Sequence, residues 1–201
     1  MKWFLSLLAG LLLSVSVSAE PAPRLLVLGD SLSAGYGLEH PDQGWVSLMA
    51  QDLKNDYKVI NASISGDTTA GGLARLPALL DKYSPEILII ELGGNDGLRG
   101  YSLATLRQNL SQMVSLGQAA GAEVVVMEIQ IPPNYGKRYT EKFTAIFSQV
   151  AADKNARLIP FFLTELALVD GMMQADGIHP TAAAQNTMKD QVLDALQLAQ
   201  R

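Results

Sequence analysis

From residue 24 onward the chain alternates between two hydrophobic rhythms. Short apolar runs, read as strands, fall at 24–28, 57–60, 86–92, 123–129 and 157–160. Between them apolar residues recur at helical spacing over 45–53, 73–80, 102–120, 139–152 and 181–198. In the long third helix, Leu103, Leu106, Leu110, Met113, Val114 and Ala120 share one side, and Gly121 is placed to end it. Pro77 sits near the middle of the second and predicts a kink or break there.

Strand and helix alternate about five times, which predicts a parallel sheet with helices on both faces. The runs "EILIIEL" and "EVVVMEI" fit strands buried on both sides. Right-handed crossovers then give an α/β fold, a three-layer α/β/α sandwich, as one domain over residues 20–201. In such sheets ligands bind beyond the carboxyl ends of the strands, where the strand order switches. Polar clusters fall in those places: Gly29-Asp30-Ser31, then 63–67, then 93–97, and finally 176–180 before the last helix.

The first residues follow a different logic. Met1-Lys2 precedes an apolar run from Trp3 to Val17, and Val17-Ser18-Ala19 is small where a signal peptidase reads. The run is shorter than the roughly 20 residues of a spanning helix. Residues 1–19 therefore read as a secretory signal peptide cleaved after Ala19, and the mature protein is expected in the periplasm or the medium without a membrane anchor. A formal net charge of -5 with no basic block offers no footprint for nucleic acid. The absence of cysteine excludes disulfides, thiolate metal sites and a cysteine nucleophile.

The stretch "LLVLGDSLSAGYG" ends a strand on Gly29-Asp30-Ser31. It fits neither phosphate-binding template. The next glycine after Gly29 is Gly35, no lysine is near, and Asp30 would set a negative charge beside the phosphate. As a nucleophile, Ser31 needs a base. Only His40 and His179 exist, and Asp176 stands three residues before His179, close enough to orient its ring. Donors for a developing oxyanion are on offer from the N–H groups of Ser31 and Gly66 and from the Asn95 amide. Each has a bland alternative as a turn, cap or surface residue. Together they fill every role that acyl transfer requires.

"GDSLSAGYG" at 29–37, the glycine of "SISGDTT", "GGNDG" at 93–97 and "DGIHP" at 176–180 resemble, in order, the four blocks of the GDSL, or SGNH, hydrolases. "NASISGDTTAGGLARLP", "ELGGNDGLRG" and "PPNYGKRY" further resemble the secreted bacterial subgroup with acyl-CoA thioesterase, lysophospholipase and arylesterase activities. The resemblance runs from about Leu25 to the C-terminus. It implies a flavodoxin-like, five-stranded parallel sheet, Ser31 as nucleophile, His179 as base and Asp176 as its orienting acid. It also implies an oxyanion hole from Ser31, Gly66 and Asn95.

The expected activity is hydrolysis of acyl esters and thioesters through an acyl-enzyme, without metal or cofactor, by a monomer acting on a small acyl ester, thioester or lysophospholipid. A carbohydrate acetylesterase and a non-catalytic binding protein on the same fold are the alternatives. Candidate acyl contacts are Leu73, beside a mobile Gly71-Gly72 pair, and Ile131, Pro132 and Tyr135. The bland alternative for these is packing of loops against the body.

Overall fold

Leu25, Leu26, Val27 and Leu28 are all fully buried, and so is nearly the whole of the third strand; both are covered on two faces. The computed structural model describes residues 22–198. The signal-peptide reading of residues 1–19 lies outside them. The strands are β1 (Arg24–Gly29), β2 (Lys58–Asn61), β3 (Ile87–Glu91), β4 (Glu123–Met127) and β5 (Arg157–Ile159). All pair in parallel, in the order β2-β1-β3-β4-β5. This is the flavodoxin-like order, with the switch point between β1 and β3.

The helices are α1 (Ser31–Ala34), α2 (Trp45–Asp52), α3 (Thr69–Tyr83), α4 (Gly94–Leu98), α5 (Leu103–Ala119), α6 (Lys137–Asp153) and α7 (Gln185–Leu196). Alternate strand residues feed two cores. Leu26, Leu28, Leu88, Ile90, Val124 and Val126 pack under α3, α5 and α6. Leu25, Val27, Ile89, Val125 and Met127 pack under α2, α7 and the segment after β5. The three-layer sandwich follows from this division of each strand's side chains.

Three expectations are corrected. Pro77 does not break α3: the helix runs through it from Thr69 to Tyr83, with Pro77 itself exposed. The same helix begins four residues before the predicted start. Thr68 caps it at the Gly71 N–H (3.3 Å), and Asp96 accepts the Thr69 N–H at 2.9 Å. Gly71-Gly72 is therefore helix, not mobile loop, and a Cβ on Gly72 would lie 2.2 Å from Leu92. The one-turn α1 and α4 carry too few residues to show a period, and no reading of the pattern located α4.

Candidate active site

Both short helices start where a strand ends, at the switch point. Asp30 caps α1, its Oδ1 accepting the Leu32 N–H at 3.2 Å, and this places Ser31 at the first helical position. Gly29 is needed for space: a Cβ there would lie 2.7 Å from Ser33 Oγ and 2.8 Å from Glu91 Oε2. Glu91, fully buried at the end of β3, accepts the Ser33 hydroxyl at 2.7 Å and the Asp30 N–H at 3.3 Å. Its Oε1 has no partner among the described residues.

Burial pushes both buried carboxyls up. Asp30 rises to about 6 from burial, against the opposing pull of the Leu32 N–H and the Asn95 amide. Glu91 goes well above the ordinary carboxylate range, first from burial and then from the neighbouring Asp30. Burial, an unpartnered oxygen and the neighbouring Asp30 all favour the protonated form of Glu91.

The second loop is held differently. Asp176 Oδ1 accepts the N–H groups of Ile178 (2.9 Å) and His179 (3.0 Å), and Oδ2 lies 2.7 Å from His179 Nδ1. The His179 N–H and then its ring hold Asp176 down at about 2. An ionised carboxylate only accepts, so Nδ1 carries the proton. The lone pair of Nε2 then faces Ser31 Oγ, 2.9 Å away. A base oriented by a carboxylate and poised on a hydroxyl is the arrangement that activates a serine.

The sequence candidates sort themselves around this chain. Asn95 donates to Asp30 Oδ2 at 3.1 Å, which fixes the flip of its amide and leaves one N–H free. Arg99 reaches Gly66 O at 2.9 Å and Asn95 Oδ1 at 3.5 Å and so joins their loops. Among the described residues the N–H groups of Ser31 and Gly66 have no partner. His40 points to solvent beside Glu39 and takes no part.

A cavity of about 330 Å³ opens from Ser31, Asn95 and His179, and its walls are mainly apolar. Ile131 and Pro132 line it, and Leu73 and Tyr135 do not. Leu73 lies in α3, and the Tyr135 hydroxyl is occupied at Leu98 O, 3.0 Å away. The far wall comes from Phe161, Leu163, Thr164, Ala167 and Met173, which the sequence reading left unassigned. The signal was present as "FFLTELAL", an apolar run directly after β5 at the same sheet edge. Among the described residues no three His, Asp or Glu side chains are grouped to hold a metal ion, and no helix is long and apolar enough to cross a membrane.

Residues 27–186 match the GDSL-like lipase/acylhydrolase family. The chain belongs to that family. It is 52% identical over 194 residues to "Esterase TesA" of Pseudomonas aeruginosa, covering 94% of this chain and 96% of that one. It is 44% identical to "Thioesterase 1/protease 1/lysophospholipase L1" of Escherichia coli K12, covering 98% and 93%. The crystal structure of the psychrotrophic esterase EstA from Pseudoalteromonas sp., inhibited by monoethylphosphonate, superposes with a TM-score of 0.83 at 45% identity. It covers 87% of this chain and 96% of that one. This GDSL-family chain is a hydrolase acting on ester bonds.

Proposed function

We propose that the protein is a secreted serine esterase that cleaves acyl esters and thioesters through an acyl-enzyme on Ser31. The observation that carries this is the unbroken chain from Asp176 Oδ2 through His179 to Ser31 Oγ, at 2.7 and 2.9 Å. As Ser31 Oγ attacks the acyl carbonyl, His179 Nε2 takes its proton and Asp176 stabilises the imidazolium. The carbonyl oxygen, now an oxyanion, accepts from the N–H groups of Ser31 and Gly66 and from the Asn95 amide. His179 passes the proton to the departing alcohol or thiol. A water then attacks the acyl-enzyme with His179 as base again and restores the Ser31 hydroxyl.

The apolar cavity beside Ser31 suits a fatty acyl chain better than the polar ring of a carbohydrate acetyl ester. Relatives named esterase and thioesterase/lysophospholipase support the same substrate classes. With the export signal read at residues 1–19, envelope lysophospholipids and external esters are in reach, and cytoplasmic thioesters are not.

A fluorophosphonate probe tests the reading. It should label wild-type protein, with Ser31 as the modified residue, and leave Ser31→Ala unlabelled. Labelling at another residue would place the nucleophile elsewhere, and no labelling at all would count against an activated Ser31. A panel of acyl esters, thioesters and lysophospholipids then ranks the substrates.

A further inference from the structure

We propose that Tyr36 and Gln174 are positioning residues that hold His179 in line with Ser31, Tyr36 by covering the imidazole face and Gln174 by tying the two loops together. The inference rests on the roles of Ser31 and His179 proposed above.

Ser31 and His179 lie 148 positions apart, on loops from opposite ends of the chain. Their 2.9 Å contact joins a one-turn helix to a solvent-exposed turn. The histidine turn is exposed and held mainly by its own hydrogen bonds, and misplacement of about 1 Å costs a catalyst on the order of 100-fold. Something must fix one loop to the other.

Gln174 does so with every donor it has. Its backbone N–H reaches His179 O at 2.8 Å. Its Nε2 donates to Pro180 O at 3.0 Å and to Tyr36 O at 2.9 Å. One side chain thus brackets the histidine loop and reaches across to the serine loop. The crossing needs Gly37, where φ is +75° and a Cβ would lie 2.2 Å from Gln174 Oε1. On the serine side, the Tyr36 N–H donates to Ser31 O at 3.1 Å, so the clamp is one residue removed from the nucleophile's own carbonyl.

Tyr36 completes the arrangement. Its ring centroid lies 4.5 Å from that of His179, tilted by 43°. The side chain is 53% exposed, so it does not serve the core, and it does not line the acyl cavity. What it covers is the imidazole face left open between Asp176 and Ser31. There it limits ring rotation, and the negative face of its π-system favours the imidazolium formed as Ser31 loses its proton. This interaction strengthens when charge appears, so it acts on turnover more than on substrate affinity.

The test compares Tyr36→Leu, Tyr36→Phe, Gln174→Leu and Ser31→Ala in the purified protein. Four quantities are read: kcat and KM on p-nitrophenyl butyrate, the rate of fluorophosphonate capture, the downfield proton resonance of His179 Nδ1–H, and the thermal midpoint. Tyr36→Leu should lower kcat by about 3- to 30-fold, the range of a cation–π contact. KM and the thermal midpoint should hold, and the Nδ1–H resonance should broaden. Tyr36→Phe should restore kcat to within about twofold, since it keeps the ring. Gln174→Leu should lower kcat by about tenfold or more and slow capture in parallel.

Wild-type kcat with an unchanged resonance in Tyr36→Leu overturns the inference, as does a loss confined to KM. If Gln174→Leu fails to fold, the Tyr36 pair still decides. An inactive Ser31→Ala beside a fully active Tyr36→Leu sinks this inference alone. An active Ser31→Ala sinks the serine mechanism and this inference with it.

Discussion

Two carboxyl systems flank Ser31, and they are built by opposite rules. Behind it, Asp30 and Glu91 lie buried at the ends of β1 and β3, where removal from water pushes both upward. In front, Asp176 is half-exposed on a surface turn and is held down by two N–H groups and an imidazole. The buried pair is backed by the sheet and fixes where the serine stands. The exposed one has little packing behind it and is defined chiefly by hydrogen bonds. A site that needs one rigid part and one proton-carrying part can place the first in the core and leave the second where water screens its charge.

Breaking the front system has the largest expected effect. Ser31→Ala and His179→Ala should each remove nearly all ester turnover while the fold persists, and the double variant should be little worse than either. Circular dichroism checks the fold and steady-state kinetics the loss. His40→Ala, on a side chain 66% exposed and outside the site, should retain activity.

Asn95 carries the buried system to the cavity, since its amide donates to Asp30 and lines the cavity beside Ser31. Asn95→Ala should lower kcat by about 100-fold with a smaller change in KM, because the amide acts on developing charge. A rise in KM with kcat unchanged would make Asn95 a substrate-binding group instead.

The apolar cavity ranks third. Ala167→Phe places a ring on the wall of the cavity and should shorten the preferred acyl chain. Each methylene excluded costs about 0.8 kcal/mol, or about fourfold in kcat/KM, so the loss should grow with chain length. A p-nitrophenyl ester series measures it, with butyrate spared and the longest chains falling by about tenfold or more. Leu73→Ala, by contrast, alters a helix residue outside the cavity and should act equally at every length.

What the sequence revealed follows the same division. The three central strands were plain because burial on both faces leaves unbroken apolar runs. Ser31, Asn95, Asp176 and His179 stood out because each lies in a short polar block directly after an apolar run or before a helix. Glu91 did not stand out. It reads as the last polar residue of "EILIIE", and only its burial and its contacts with Ser33 and Asp30 reveal what it does. The wall formed by residues 161–173 was missed for a different reason. It has only one short helical turn, Leu166–Leu168, and contains Leu168 at 85% exposure, so it has no period to detect. Gly71-Gly72 misled in the other direction, because glycine suggests a loop until Leu92 is found pressed against it.

The smallest effect separates the two carboxyl systems most directly, through their opposite responses to pH. Glu91 holds its proton in the native state well above its ordinary value of 4.5. The native state therefore binds more protons than the unfolded chain across that interval, and stability falls as pH rises through it. Asp30, raised from 3.8 to about 6, acts in the same direction between those values. Asp176, lowered from 3.8 to about 2, acts the other way: its contribution is present above 3.8 and is lost as pH falls toward 2. Glu91→Gln keeps a neutral side chain of the same shape, whose carbonyl can accept the Ser33 hydroxyl and the Asp30 N–H, and it removes the proton that must be held. The thermal midpoint of Glu91→Gln should match wild type near pH 4 and exceed it at pH 8 by about 2–4 °C, the shift expected for about 1 kcal/mol in a domain of this size. Asp176→Asn should instead lower stability above pH 4, where the carboxylate contributes, and flatten the wild-type loss below it. If Glu91→Gln tracked wild type at every pH, Glu91 would carry the same charge folded and unfolded, and the account of a neutral carboxyl behind Ser31 would be wrong.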